Sequence, residues 1–150
     1  MIASQQQRLR RARTLLLLLA DRQVCTLADS IVLALGVETS ARDLMISAER
    51  QGHILKRRQL VSNFDADLAA RRIADALSSV RYVVQPQRRA NIFEVVGYVN
   101  DADKHLLVAL KFVAAAHSKR SQDEWWVQTA YPLGTKRRRE MIANGHLRPL

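Results

Sequence analysis

The stretch Asn91–Tyr131, NIFEVVGYVNDADKHLLVALKFVAAAHSKRSQDEWWVQTAY, decides the fold. It reads as three consecutive strands: Asn91–Asn100, Lys104–Ala114 and Glu124–Tyr131. Asn100-Asp101-Ala102-Asp103 joins the first two; its side chains can bond their own backbone and so favour a tight turn. The polar, basic loop His117–Asp123 joins the second and third. On the middle strand Leu106, Val108, Leu110 and Phe112 point one way, and His105, Leu107, Ala109 and Lys111 the other. On the last, simple alternation puts Trp125, Val127, Thr129 and Tyr131 on one face and Trp126, Gln128 and Ala130 on the opposite one. An antiparallel meander with one apolar and one mixed face needs a cover, which the rest of the chain must supply.

Phe64–Ser79 supplies a cover. Asp65 and Asp67 lie at its start, and Ala69, Ile73, Ala76, Leu77 and Val80 recur at helical spacing. Arg81–Gln85 follows as a short apolar strand ended by Pro86, and Gln87-Arg88-Arg89 leads into the meander. Beyond Tyr131, Pro132 and Gly134 are expected to end the sheet, and Thr135–Asn144 forms a short basic helix. Upstream, Ser4–Arg22 reads as a helix in which Arg8, Arg10, Arg11 and Arg13 precede Leu15–Leu19. Positive charge at a helix start opposes the dipole, so these arginines call for an anionic partner or an acidic neighbour unless they form a solvated face. Thr26 opens a second helix, with Asp29 at capping-box spacing and Gly36 at its expected end; Leu27, Ile31, Ala34 and Leu35 form its apolar face, which would pack on the first helix.

Val37–Arg58 admits two parsings. In one, Asp43–Ser47 is a strand and Ser47 caps a helix from Ala48 to about Leu60. In the other, Ser40–Gln51 is a helix ending at Gly52, and His53–Arg57 is a strand, which makes Thr14–Arg58 resemble a winged helix. A mid-helix glycine costs about 1 kcal/mol and favours the second; the ragged apolar stripe of the recognition helix speaks against it. Either way the class is α+β: N-terminal helices packed on an antiparallel sheet of about four strands, with a short basic C-terminal helix. Residues 1–42 form a helical extension, or the start of a winged helix, and residues 43–150 the α+β domain.

The chain has 150 residues, 48% of them hydrophobic, and a formal net charge of +10. This composition suits a folded domain, and the charge favours a polyanionic partner, with RNA or DNA ahead of a membrane surface. The lone Cys25 rules out an internal disulfide and a cysteine zinc site, and reads as a small buried residue. The Leu15–Ala20 run is too short to span a bilayer and lacks a signal-peptide cleavage pattern, so a cytoplasmic protein is expected.

No metal is expected: His53, His105, His117 and His146 are scattered without ligand spacing, and carboxylates are few in the strand half. No cofactor motif is visible either, neither a glycine-rich phosphate loop nor a nucleophile elbow. Metal-free cleavage of RNA needs a base for the 2′-hydroxyl, an acid for the leaving oxygen and cations for the phosphorus. His53 with Lys56 and Arg57, on one face if Ala48–Leu60 is helical, meets part of this need, and Lys111, Thr129 and Tyr131 meet the rest. Each residue also has a plain alternative: His53 as a surface histidine, Lys111 as a solvated strand lysine, Thr129 and Tyr131 as ordinary strand formers. One of Trp125 and Trp126 is expected in the core and the other is free to stack on a base or contact a partner. The basic residues Lys56, Arg57, Arg58, Arg88, Arg89, Lys119, Arg120, Lys136, Arg137 and Arg138 fall in four separate runs and make the broader case for nucleic acid, RNA in preference to DNA.

The order Ile46-Ser47, His53-Ile54-Leu55-Lys56-Arg57-Arg58, an amphipathic helix, three strands, and Val127-Gln128-Thr129-Ala130-Tyr131-Pro132 resembles a phage-type member of the barnase–EndoU–colicin–RelE ribonuclease-like superfamily. The resemblance spans roughly Asp43–Glu140 and rests on short motifs. Members often carry a His-Ile-x-x-Arg-His run and a Thr-Ala-Tyr-like end on the last strand; Arg58 stands here where the second histidine would be. It implies helices against an antiparallel sheet whose face holds the site, and a metal-independent endoribonuclease, a toxin or phage-associated enzyme, with His53 as acid or base. An acidic partner or antitoxin, and a homodimer, are compatible with it. The rival is a winged-helix DNA-binding regulator whose strand half mediates dimerisation or sensing; a third reading is an interaction protein that meets acidic surfaces.

Overall fold

The computed structural model describes residues 5–7 and 19–150. A single seven-stranded sheet runs in the order β1-β2-β6-β5-β4-β3-β7. Its strands are β1 (Arg22–Thr26), β2 (Asp43–Ile46), β3 (Val80–Val84), β4 (Ile92–Val99), β5 (Lys104–Val113), β6 (Glu124–Leu133) and β7 (Leu147–Pro149). The helices are α1 (Asp29–Leu35), α2 (Ala48–Arg57), α3 (Ala66–Ser78) and α4 (Thr135–Ala143), with a 3-10 turn at Ala115–His117. The α+β class stands, but the expected four-stranded antiparallel sheet is corrected to a mixed one of seven strands. β2 runs parallel to β6, with Leu44 opposite Trp125 and Met45 opposite Trp126; every other pair is antiparallel.

The β4–β5–β6 meander lies at the centre, and its first turn closes as its residues require: Asp103 has φ 47 and donates its backbone N–H to Asn100 O at 3.2 Å. β6 continues through Pro132, which stays in register opposite Leu106. β2 covers only the start of β6, so beyond Trp126 that strand has one free edge where a missing N–H costs no ladder bond.

The first sheet face is covered by α2 and α3. α3 starts at Asp65, whose side chain accepts from Leu68 N at 3.0 Å, and buries Ala69, Ile73, Ala76 and Leu77 against β4 and β5. The core beneath unites Val95, Val99, Leu106, Val108, Leu110, Trp125 and Val127 with Ile54 and Leu55 of α2. The approach of helix to sheet is closest at Gly97, where a Cβ would stand 1.8 Å from the Ala76 carbonyl oxygen.

The first parsing of Val37–Arg58 is the one that folds. Ser47 Oγ accepts from Arg50 N at 3.1 Å, and the helix passes through Gly52 and His53 before Arg58, at φ 54, closes it. Burial of Ile54 and Leu55, at 3% and 1% exposure, decides this: each contributes about 1.5–3 kcal/mol, against about 1 kcal/mol lost at glycine. Among the described residues, then, the scaffold of a winged helix is absent: β2 stands where its recognition helix would begin. The helix read from Thr26 is likewise corrected, because Arg22–Thr26 is a strand paired with β2 and α1 starts only at Asp29, without a side-chain cap. Gly36 ends it at φ 72 as expected. Except at residues 5–7, which are helical, and 19–22, the helix read over Ser4–Arg22 lies outside the described residues, as do Arg8, Arg10, Arg11 and Arg13.

The second face is only partly covered. α4 and β7 bring Met141 and Leu147 onto Val84, Val96, Leu107 and Leu133, with Tyr82 and Tyr131 at the margin. Among the described residues no other helix lies over the rest of that face, where Lys111 is exposed and Ile92, Glu94, Trp126 and Thr129 are half-buried.

Candidate nucleic-acid interface

A bulge in β6 sets the composition of the open face. Leu110 pairs with Val127, but the next residue of β5, Ala109, pairs with Thr129, so Gln128 has no partner in the ladder. The extra residue corrects the simple alternation. Trp125 and Val127 stay on the first face and Ala130 joins them in the core, whereas Thr129 and Tyr131 turn to the face that bears Lys111 and Trp126. Lys111, Thr129 and Tyr131 are thus brought together after all.

Across the sheet this face is arranged in rows. Ile92, Lys111 and Trp126 form one row. Glu94, Ala109 and Thr129 form the next, and Val96, Leu107 and Tyr131 the one beyond. Ala109, the shortest side chain of the three rows, is 4% exposed between Glu94 and Thr129, and this dip in side-chain height forms a trough with Lys111 at one end and Tyr131 at the other. Lys111 is exposed, and Glu94, Thr129, Tyr131 and Trp126 are half-buried.

The electrostatics of the trough converge on Tyr131. Burial, and then the Glu94 carboxylate, push its phenol above the ordinary value, while Arg88 and Arg137 act in the opposite direction. The phenol therefore keeps its proton at neutral pH and acts as a donor. Arg88 comes from the β3–β4 loop and Arg137 from the first turn of α4, so a loop and a helix distant in sequence deliver cations to one tyrosine. Among the described residues only two ion pairs form, Arg22–Asp67 and Arg42–Asp29, and none of Lys111, Arg88, Arg120, Arg137 and Arg138 belongs to either. Basic side chains that no carboxylate among the described residues pairs with directly, around the single Glu94, suit a polyanion.

His105 lies at the far end of the same face. Its ring centroid is 5.1 Å from that of Tyr98, over which the Arg81 guanidinium sits at 4.8 Å, and the Tyr98 hydroxyl bonds Asp103. Burial, then Arg138 and Arg81, lower the pKa of His105. Its Nε2 and the Nε of Arg138 are both buried, with no hydrogen-bond partner among the described residues.

His53 does not join the trough. It is exposed on α2 beside exposed Lys56 and Arg57, in the layer that covers the first face, so the sheet separates it from Lys111, Thr129 and Tyr131. Arg58 caps α2 and stacks its guanidinium 5.2 Å from the Phe64 ring centroid. Arg89 is exposed and bridges to Ile92; Lys119 and Arg120 lie in the β5–β6 turn, and Lys136 is exposed on α4. Cys25 is pushed up to about 11 by burial, which leaves it a protonated thiol rather than a nucleophile. Glu94 is the residue that sequence reasoning missed. The available signal was a single carboxylate between Ile92-Phe93 and Val95-Val96, an acidic residue inside an otherwise apolar central strand.

No group of three or more potential metal ligands forms among the described residues, and no helix among them is long and apolar enough to cross a membrane. Comparison with protein-family models, with curated proteins and with solved structures finds no match.

Proposed function

We propose that the chain is a metal-independent endoribonuclease of the barnase–EndoU–colicin–RelE kind, acting in the cytoplasm, with the trough over Ala109 as its site. One observation carries the reading: the β6 bulge gathers Lys111, Thr129 and Tyr131 with Glu94 on one open face. In this reading the Glu94 carboxylate takes the proton of a ribose 2′-hydroxyl. The freed oxygen attacks the adjacent phosphorus, and the bond to the 5′-oxygen of the next nucleotide breaks as Tyr131 donates its proton to it. Lys111, Arg88 and Arg137 offset the charge that develops on the phosphoryl oxygens, and the Thr129 hydroxyl donates a hydrogen bond to one of them. The products are a 2′,3′-cyclic phosphate and a 5′-hydroxyl. An acidic partner or antitoxin that filled the same cationic face would block it.

The test is cleavage of single-stranded RNA by the purified chain in EDTA, with the ends of the products identified. Cyclic-phosphate ends are expected. Glu94→Gln and Tyr131→Phe should each lower the rate by about 10²–10⁴-fold, while His53→Ala should have little effect. A folded wild-type chain that binds RNA without cleaving it would reduce the face to a binding surface.

A further inference from the structure

The open face extends past the trough, toward β2. There a cavity of about 480 Å³ lies between β2 and the β5–β6 turn, its wall including Arg42, Met45, Arg120, Gln122 and Glu124. The strand register places Met45 of the wall beside Trp126 on the same face, and Glu124 of the wall accepts from the Trp126 indole N–H.

Trp126 is unlike its neighbour. Trp125 is wholly buried, and its indole N–H donates to Ala41 O at 3.1 Å. Trp126 is half-buried on the open face, and its indole N–H donates to Glu124 Oε2 at 3.1 Å, while the other Glu124 oxygen accepts from the Ser118 hydroxyl. The ring plane is thus fixed in advance, at no further conformational cost when something stacks on it. The three acidic groups of the wall each accept hydrogen bonds: Asp43 from Gln23 Nε2 at 3.2 Å, Asp123 from the Thr39 hydroxyl at 2.7 Å and from Ala115 N at 2.8 Å, and Glu124 as described. Arg42 is tied to Asp29 and to two carbonyls. Arg120 and Gln122 are different: no hydrogen bond or ion pair among the described residues engages their side chains.

We infer that this cavity is a subsite for one unpaired nucleotide next to the cleaved phosphodiester, its base stacked on Trp126, its edge met by the Gln122 amide and its phosphate by Arg120. The inference rests on the ribonuclease reading above and specifies where the flanking strand runs. Along β6, Trp126 and Thr129 are roughly 10 Å apart, so the subsite is one step from the trough rather than part of it. Recognition by stacking on a fixed indole tolerates any base, and a single uncommitted cation adds one phosphate contact.

The experiment measures dissociation constants of the full chain in EDTA for a non-cleavable 2′-O-methyl hexaribonucleotide, across a range of salt concentrations, with RNA cleavage assayed in parallel. Trp126→Ala should weaken binding by about 5- to 150-fold with an unchanged salt slope, and Trp126→Phe by less, since one base stack is lost in the first and reduced in the second. Arg120→Ala should lower the salt slope by about 0.7, the amount expected for one phosphate on a single strand. Trp126→Phe keeps an aromatic ring in place and guards against a folding defect in the alanine variant. Wild-type RNA cleavage with Trp126→Ala and Arg120→Ala both binding like the parent would overturn the subsite and leave the trough standing. A wild-type chain that neither binds nor cleaves RNA would overturn both.

Discussion

Glu94 and Thr129 face each other across Ala109, each paired with it in the ladder from opposite sides. Two strand spacings put their backbones about 10 Å apart, with only a methyl group between them. In the proposed reaction the phosphodiester lies over that methyl group, and a longer side chain would take its place. Ala109→Leu is therefore expected to lower RNA cleavage by about a hundredfold, because it displaces the reacting groups from one another. The strain of overpacking this buried position should cost about 1–3 kcal/mol in urea unfolding. Ala109→Gly should keep most of the activity. A leucine variant that cleaves at the parental rate would show that the reaction lies elsewhere.

Gln128 is the extra residue that offsets the two halves of β6. Its deletion leaves Val127 against Leu110 and Thr129 against Ala109 as consecutive pairs, so Thr129 and Tyr131 stay on the open face and Ala130 stays in the core. The deletion variant is therefore expected to fold within about 1–2 kcal/mol of the parent, and Gln128→Ala, which keeps the bulge, to stay within about 1 kcal/mol. Chemical denaturation of the two variants decides it. A deletion variant that does not fold would mean that β6 needs the bulge itself and not only the order of faces that it permits.

The bulge also marks where the sequence stops being informative about the site. Period-two reading is right from Trp125 to Val127 and fails at the next residue, since nothing in Gln-Thr-Ala-Tyr announces an unpaired position. Local pattern finds α3, β4, β5, α4 and the C-terminal end of α1, because their signals lie within one element. β1, β7 and the parallel β2–β6 pair were missed for the opposite reason. Strands of three to five residues carry too little alternation, and a parallel partner about eighty residues away is chosen by the packing of α2 and α3 between them. His53 was attractive because of its neighbours in sequence, but the layer in which a helix lies is settled by Ile54 and Leu55, not by its polar face.

Gly97 tests the packing that holds the trough strand in place. The carbonyl oxygen of Ala76 occupies the space of a Cβ, and backbone on both sides cannot yield as a side chain can. Gly97→Ala should destabilise the fold by at least about 3 kcal/mol, beyond the usual overpacking penalty, with α3 lifted from β4. Thermal unfolding measures the loss, and the distance between α3 and β4 in a crystal of the variant checks its cause. A shift in melting temperature within error would rule out so close an approach.

His105 gives the fold a pH dependence whose sign is fixed by its surroundings. Burial disfavours the imidazolium, Arg138 and Arg81 repel it, and the opposing Asp103 carboxylate is the smallest influence; the Tyr98 ring packs alongside. Its folded pKa thus lies below the ordinary 6.5, and in the window between the two values the unfolded chain binds more protons than the folded one. Stability should rise with pH through that window and fall on acidification below about 6.5. Asp123 contributes in a separate range: bonds from Thr39 and Ala115 lower its pKa below 3.8, and the stability this provides is lost only as pH falls beneath that value. Urea midpoints followed from about pH 8 to about pH 5 isolate the histidine. The parent should show a decline toward the acid end that His105→Gln abolishes, and Arg138→Ala should shrink it by removing the stronger of the two repelling charges. A parent whose midpoint is flat over this range, or a His105→Gln variant with the same slope, would contradict the assignment.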